Sequence, residues 1–389
     1  MDERTIVTKK ETPELMLMNH LDDLAHFEPA GYPFISLYLN LQPDQHGRDN
    51  FESFVRKEFK AKAKSFAPES LELMSFKRDK ARIESYLHDE VRPSANGLAI
   101  FACAGANDYF KAVQLSAPLK RHDLHVNERP HLYPLARVID QYPRYVALLA
   151  DTNSARLFVF GLGNILGREE VQHAKLSRTQ IEGWSQMRYQ RHVDNFHLQH
   201  AKEVVEVLDR VVREEAVEHI ILAGDEVIIP LLRERLPDRL EEKVIDVLRL
   251  DIKTPEHEVL KATMEALRDH NLHTDAEKVR QLFDEYRAGG LAVVTWKDTV
   301  KAIEQGQVDE ILLSASAREI RTDKEELDRS AVDQHSSDTP VDSDIEPALM
   351  PADVLVTLAR QTGARVTFIE DTALLSSVGG VGAMLRYRI

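Results

Sequence analysis

Short apolar runs that alternate with amphipathic helical patterns are the feature that most constrains how this chain can fold. In the middle of the chain, HIILAGDEVIIPLLRERL (219–236) reads as a strand, a glycine turn and a helix, and KVIDVLRLD (243–251) reads as a further strand. Neighbouring parallel strands need a long crossover connection, which a helix usually supplies. The pattern therefore predicts an α/β fold in which helices cover a parallel or mixed sheet.

The same alternation recurs on both sides of this segment, and 389 residues suit two or three domains of about 100–200 residues each. We predict three consecutive α/β domains, over residues 1–138, 139–287 and 288–389. Within the third, residues 318–353 lose all periodicity and hold eleven acidic residues against four basic ones. Such a composition favours an inserted flexible loop.

Composition excludes several classes of protein. Cys103 is the single cysteine and lies in an apolar run, which excludes disulfides and thiolate metal clusters. The opening residues show no secretory signal, and no apolar run approaches the roughly 18 residues of a membrane helix. We therefore expect a cytoplasmic protein without membrane contact. No nucleotide or cofactor fingerprint is present, so no cofactor is predicted.

Residues 173–202 form a basic stretch whose net charge is opposite in sign to that of the whole chain. It carries a net charge of about +3 before histidine is counted, whereas the whole chain has a formal charge of −15. A solvated pair of helices joined by a glycine loop explains such a pattern, and so does contact with a polyanion. The candidate RNA-binding residues here are Lys175, Arg178, Arg188 and Arg191.

A second basic pattern lies in FESFVRKEFKAKAKSF (51–66), which reads as a helix. Arg56, Lys60 and Lys64 fall at i, i+4 and i+8, so they form a basic stripe along one helix face. A stripe of this kind is either a solubilising face or a contact with RNA. Its residue pattern alone does not separate the two interpretations.

Metal and nuclease chemistry have weaker support. His197 and His200 lie one helical turn apart, but no glutamate completes a His-Glu-x-x-His arrangement, so no metal site is predicted. A nuclease would need a cluster of carboxylates at the strand ends. Only Asp151 and Asp225 follow predicted strands in this way.

Three segments carry a resemblance to a known family. The closing residues Gly379–Tyr387 are very similar to the terminal Gly-Gly-Ile-Gly-Ala-Ile-Leu-Arg-Tyr of the archaeal and eukaryotic class-I peptide-chain release factors, a family that includes the rescue factor Pelota and bacterial Balon-type factors. WKDTVKAIEQGQVDEILL (296–313) and ILAG (221–224) resemble the strand–helix–strand and the central strand of the same family. The resemblance covers about residues 140–389.

The resemblance draws attention to one loop. Release factors carry Gly-Gly-Gln there, whereas this chain has Gly183, Trp184, Ser185 and Gln186, with the glutamine shifted by one residue. Hydrolysis of a peptidyl-tRNA ester needs an oriented water and a stabilised oxyanion, which a glutamine amide can supply without acting as a base. Trp184 can stack on a nucleobase. Gln186 is thus the candidate catalytic residue, and the three residues before it are candidate RNA contacts.

The resemblance implies a tRNA-mimicking translation factor that occupies the aminoacyl (A) site of the ribosome in termination, rescue or hibernation. Its partners would be the ribosomal RNA of both subunits and a translational GTPase such as an elongation factor. Two alternatives stay open: a binder without hydrolytic activity, which the missing Gly-Gly-Gln favours, and an RNA-processing nuclease. Whether the protein is an enzyme therefore depends on Gln186.

Overall fold

The structure, a computed structural model, confirms an α/β fold built on three sheets. It describes residues 12–43, 51–172, 186–322 and 350–388, with the side chains of residues 172 and 186–194 outside that description. None of the described helices is long and apolar enough to cross a membrane. The acidic insert predicted over residues 318–353 falls largely on residues that the structure does not describe.

The first sheet is fully antiparallel, with strand order β3-β2-β1-β4. One face packs on α2 and α3, and Phe59 and Phe76 from these helices are completely buried against it. The elements of this part of the chain are α1 (Pro13–Ala25), β1 (Phe34–Asn40), α2 (Phe51–Lys62), α3 (Leu71–Asp89), β2 (Gly97–Cys103), β3 (Tyr109–Leu115), β4 (Asp123–Asn127) and α4 (Tyr133–Gln141).

The second sheet has the order β7-β6-β5-β8-β9 and is mixed. β5, β8 and β9 run parallel, while β6 and β7 add antiparallel neighbours at one edge. This is the mixed sheet that the alternating pattern predicted. The elements are β5 (Tyr145–Ala150), β6 (Ser154–Gly161), β7 (Asn164–Gln172), α5 (Gln186–Glu214), β8 (His219–Gly224), α6 (Ile228–Arg235), α7 (Asp238–Glu241), β9 (Val244–Leu248) and α8 (Glu256–Arg287).

The third sheet has the order β10-β13-β11-β12, in which β11 and β12 are parallel. Gly379 and Gly380 adopt φ of 71° and 78°, and a Cβ on Gly380 would lie 2.6 Å from the Glu319 carbonyl oxygen. These two positions therefore require glycine, and they form a turn before the last strand. The elements are β10 (Ala292–Val294), α9 (Trp296–Glu304), β11 (Val308–Ser314), α10 (Pro351–Thr362), β12 (Arg365–Ile369) and β13 (Val381–Leu385).

Three elements differ from the sequence interpretation. The proline-rich segment after residue 118 contains β4 and α4, since Pro134 lies in the first turn of α4, where its missing N–H costs nothing. β7 is an edge strand, and its charged residues hid it from an apolar pattern. The sequence pattern before β2 indicates a helix from about residue 77, whereas α3 begins at Leu71 because Ser70 caps it by accepting a hydrogen bond from the Leu73 amide.

The chain forms two compact units, one made of Met1–Tyr142 with Thr274–Ile389 and the other of Pro143–His273. In the first unit, α1, α4 and α10 pack together, and Arg360 donates to the Asp22 carboxylate at 2.7 Å. The first and third sheets thus belong to one folded body. The domain boundaries after residues 138 and 287 remain predictions.

Asp140 lies on α4 inside this body, where its carboxylate accepts a hydrogen bond from the Phe368 amide at 3.2 Å. Burial, opposed by that hydrogen bond and reinforced by the nearby Asp275 carboxyl, raises the pKa of Asp140 to about 7. The folded protein therefore keeps a proton that the unfolded chain releases above about pH 4. The resulting loss of stability grows between about pH 4 and pH 7 and is then constant.

We expect Asp140→Asn to raise the free energy of unfolding of this unit at pH 8 by roughly 2 kcal/mol, because the amide keeps an acceptor and has no charge to desolvate. At pH 4 the variant and the wild type should be nearly equal. Urea unfolding at both pH values measures the difference, with the exposed Asp269→Asn as the control. An Asp140→Asn variant that is less stable at pH 8 would contradict the assignment.

Candidate functional site

The basic stripe lies on α2, and the helix has a physical reason to present it outward. Val55 and Phe59 are buried in the core of the first sheet, while Arg56 and Lys60 are exposed on the opposite side. Lys64 is also exposed, but it lies on a 3₁₀ turn (Ala63–Ser65) that follows the α-helix. Because a 3₁₀ turn advances by a larger angle per residue, Lys64 is rotated somewhat away from the line through the other two.

The charges of the stripe are not neutralised by other described residues. No carboxylate in the described ranges forms an ion pair with Arg56, Lys60 or Lys64, although Lys57 lies 3.8 Å from Glu58 on the same helix. Elsewhere in the same unit, basic residues are engaged: Arg137, for example, donates to both oxygens of Glu370 at 2.8 and 3.0 Å. Among the residues that the structure describes, the stripe is therefore a surface of uncompensated positive charge.

The second basic region is organised by α5. The C-terminal part of this helix is anchored to the second sheet through a buried row that begins with Ala201 and Val204 and continues to Val212. The helix itself starts at Gln186. At 1.5 Å per residue, its first residue lies about 22 Å along the helix axis from Ala201. The start of α5 is thus well removed from the helix's own anchor in the core.

The start of α5 has unusual electrostatics for a helix. Unpaired N–H groups give a helix N-terminus a partial positive charge, which acidic residues normally offset. The first turn of α5 contains no acidic residue, and Arg188 and Arg191 fall within its first six residues. Like charges are therefore concentrated where the helix itself is positive. An external anion would relieve this arrangement.

Several predicted site residues lie outside the described residues. This applies to Lys175, Arg178, Gly183, Trp184 and Ser185. For Gln186, Arg188 and Arg191 the structure gives the helical backbone position and not the side chain. In the sequence, Gly183, Trp184 and Ser185 stand between β7 and α5, and the catalytic and RNA-binding roles of the GWSQ segment remain predictions.

The two aspartates weighed for nuclease chemistry end neighbouring parallel strands, since Ala150 pairs with Gly224. Each carboxylate accepts hydrogen bonds from backbone amides two or three residues further along the chain. Asp151 accepts hydrogen bonds from the amides of Asn153 and Ser154 at 2.7 Å, and Asp225 accepts from two amides at the start of α6 at 2.9 Å. Asp225 thus caps a helix start, and the pair gives no support to a nuclease site.

A cluster of histidines and carboxylates in the first unit was missed by the sequence analysis. Asp123 and His125 alternate on β4, so they share one face, and His125 Nε2 lies 3.3 Å from Asp123 Oδ1. His131 stacks beside His125 with the ring centroids 3.8 Å apart. Its Nδ1 lies 2.5 Å from the carboxylate of Asp353, which is 222 residues further along the chain. The Asp-x-His spacing on a strand was the signal available in the sequence.

The carboxylates of this cluster are strongly held. Burial opposes ionisation of Asp123, but hydrogen bonding from His125, together with the positive charges of His125 and Arg121, lowers its pKa to about 2. Asp353 is 3% exposed, and its second oxygen accepts the amides of Leu132 and Tyr133 at 2.9 and 3.0 Å. Asp353 therefore fixes the segment between β4 and α4 from the start of α10.

Two protein-family models together match most of the chain. Residues 130–268 match the model of bacterial archaeo-eukaryotic release factor family 10, and residues 272–389 match that of eRF1 domain 3. The peptide chain release factor subunit 1 of Thermoplasma acidophilum is 23% identical over 400 residues, which cover 94% of each chain. This chain belongs to the family of release-factor-like and Pelota-like proteins.

Solved structures of two proteins are similar to this chain at lower sequence identity. The crystal structure of the archaeal translation termination factor aRF1 is 16% identical, covers 96% of this chain and 97% of its own, and has a TM-score of 0.26. Archaeoglobus fulgidus Pelota is 16% identical over 77% of this chain and 82% of its own, with a TM-score of 0.34.

Asp353→Ala should destabilise the unit that contains it by roughly 3 kcal/mol, because two backbone amides and His131 lose a buried acceptor. Asp353→Asn keeps an oxygen for the amides and should cost about half as much. The exposed, ion-paired Asp309→Ala is the control, expected below about 1 kcal/mol. Urea unfolding measures all three, and equal costs for Asp353→Ala and Asp309→Ala would refute the role of the buried carboxylate.

Proposed function

We propose that this protein is a translation factor that binds the ribosome at the aminoacyl site, in rescue, hibernation or termination. Membership of the release-factor-like family supports this proposal. The observation that carries it is the basic start of α5, directly after the GWSQ loop, in the segment that matches the release-factor family 10 model. Ribosomal RNA is the polyanion that this local excess of positive charge would contact.

The stripe on α2 supports a second RNA contact. Arg56, Lys60 and Lys64 are exposed and uncompensated within the described residues, so contact with phosphates would release counterions without first breaking an internal ion pair. In the release factors that this chain resembles, the first domain faces the decoding centre. The stripe would then contact small-subunit RNA, and the loop and the start of α5 would contact large-subunit RNA.

Binding without hydrolysis is the function that the sequence of the loop supports best. Trp184 and Ser185 separate Gly183 from Gln186, so the glutamine is displaced by one residue from the Gly-Gly-Gln arrangement. Trp184 adds bulk where glycine would allow close approach to an ester, and it offers a stacking surface for a base. A factor of this kind would occupy idle or stalled ribosomes. A translational GTPase would be the partner that delivers it.

Peptidyl-tRNA hydrolysis is the second candidate, and one structural observation favours it. Gln186 is the first residue of α5, where a helix has unpaired amide N–H groups and the positive end of its dipole. Such groups stabilise an oxyanion that develops in acyl transfer. Gln186 would orient the attacking water, and the helix start would stabilise the negative charge.

Ribosome binding can be tested through its salt dependence. Each phosphate contact contributes about 0.7–0.9 to the slope of log K against log salt concentration. Replacing Arg56, Lys60 and Lys64 together by glutamine should therefore weaken binding about tenfold or more near 0.1 M salt and reduce the slope by about 2. Co-sedimentation with ribosomes over a series of salt concentrations measures both quantities.

A matched control separates the stripe from overall charge. Arg235, Lys261 and Arg268 are also exposed and make no ion pair among the described residues, so replacing them by glutamine changes the net charge equally. This control should keep the slope of the wild type. Equal losses in the two triple variants would show that the stripe has no specific part in binding, and absence of co-sedimentation by the wild type would overturn the ribosome proposal.

Gln186→Ala separates binding from chemistry, since it removes no charge and should leave co-sedimentation within about twofold of the wild type. Ribosomes programmed with labelled peptidyl-tRNA then report release of the peptide. Release by the wild type at least tenfold above the Gln186→Ala variant would establish hydrolysis. Background release by both proteins would leave the binding function alone.

A further inference from the structure

Asp123, His125 and His131 place three potential metal ligands together at the edge of the first sheet. One ligand atom from each residue lies within 4.8 Å of the other two. Two donors bound at about 2.0–2.1 Å to a tetrahedral ion are about 3.3 Å apart. His125 Nε2 and Asp123 Oδ1 are already separated by 3.3 Å. Small side-chain rotations that bring His131 closer would complete three sides of a coordination shell.

Backbone contacts hold His131 in place beside the strand that carries the other two ligands. Its amide donates to Ser36 Oγ at 3.0 Å, and its carbonyl accepts from the Tyr38 hydroxyl at 2.5 Å. Ser36 is the β1 partner of His125 in the antiparallel register. The position of His131 next to His125 is therefore set by the first sheet.

The partners behind two of the ligands match those of histidine and carboxylate ligands in metal sites. Metal-bound histidines usually donate their second ring N–H to a carboxylate, which fixes the tautomer. Asp353 occupies that position, since it lies 2.5 Å from His131 Nδ1 and leaves Nε2 as the donor to an ion. Ligating carboxylates are themselves hydrogen-bonded. Arg121 holds Asp123 Oδ2 at 3.1 Å and leaves Oδ1 for coordination.

We propose that Asp123, His125 and His131 bind a divalent transition-metal ion of the zinc type, with water as the fourth ligand. Neutral imidazoles and a carboxylate are ligands that such ions prefer. This site is independent of the proposed function at the ribosome.

The ion would have a structural consequence. His131 lies just before α4, and Asp353 lies in the first turn of α10, after the acidic insert. The hydrogen bond between them therefore joins elements that are far apart in the sequence. A metal on His131 Nε2 increases the acidity of its Nδ1–H and strengthens the hydrogen bond to Asp353. Metal binding would therefore stabilise the unit that contains the first and third sheets.

The test uses the full-length protein, stripped with a chelator and then dialysed against ZnCl₂ or CoCl₂. Asp123→Asn and His125→Gln each change one ligand on strand β4, at two half-buried positions. His88→Gln, on a side chain that is 88% exposed at the end of α3, is the matched control. Urea unfolding of each metal-free protein verifies that the variants are folded.

We expect the wild type and His88→Gln to retain one zinc equivalent more than either ligand variant. Any metal held by other histidines is common to all four proteins, so the difference counts this site. Cobalt should give the wild type intense visible absorption bands of a four-coordinate ion, and these bands should be absent from His125→Gln. Zinc at 100 times its Kd should raise the midpoint of thermal unfolding of the wild type by roughly 5 °C.

Equal zinc content in the wild type and both ligand variants would overturn the site. So would a cobalt spectrum that His125→Gln leaves unchanged. Either outcome would identify the cluster as two hydrogen-bonded histidine–carboxylate pairs.

Discussion

The buried carboxylate of Asp353 is the contact on which the organisation of the first unit depends. It accepts hydrogen bonds from the backbone amides of Leu132 and Tyr133 and faces the His131 ring. All three residues lie after β4, at or just before the start of α4. A buried carboxylate without such partners would be very costly, so this arrangement specifies one docking of α10 against the first sheet. Apolar packing alone would tolerate sliding of these elements. The three hydrogen-bonding atoms around the Asp353 carboxylate do not.

The same principle recurs along the contact between α4 and β12. The Glu370 carboxylate accepts hydrogen bonds from both Arg137 and Gln141, and the Asp140 carboxylate accepts one from the Phe368 amide. Each polar group is buried or half-buried and has a defined partner on the other side. This polar seam explains why the two ends of the chain form one compact unit while residues 143–273 form another. It leaves the central sheet and α5 to depend on their own core, in which Ala201 and Leu208 are completely buried.

Local patterns in the sequence were sufficient for most elements and for the fold class. The strands β1, β2, β5 and β8 are nearly continuous apolar runs, and the glycine pair before β13 favours a turn. What the sequence could not show was long-range pairing: the contact between His131 and Asp353 joins residues 222 positions apart. β4 has only two buried positions, Leu124 and Val126, which is too few for a clear periodic signal. The basic stripe was predictable because it is a property of one helix, whereas its lack of ion pairs depends on the fold.

The distribution of charge connects these features to RNA binding by an acidic protein. A formal charge of −15 would repel a polyanion at long range, but salt screens charges beyond about 8–10 Å. Many acidic residues are moreover engaged internally: Glu310 contacts Lys278 at 2.7 Å, and Glu169 contacts Arg210 at 2.5 Å. Arg56, Lys60 and Lys64 have no such partners among the described residues. At short range an RNA surface would therefore meet uncompensated cations first, and affinity would be determined by these local surfaces and by the start of α5, not by the net charge of the chain.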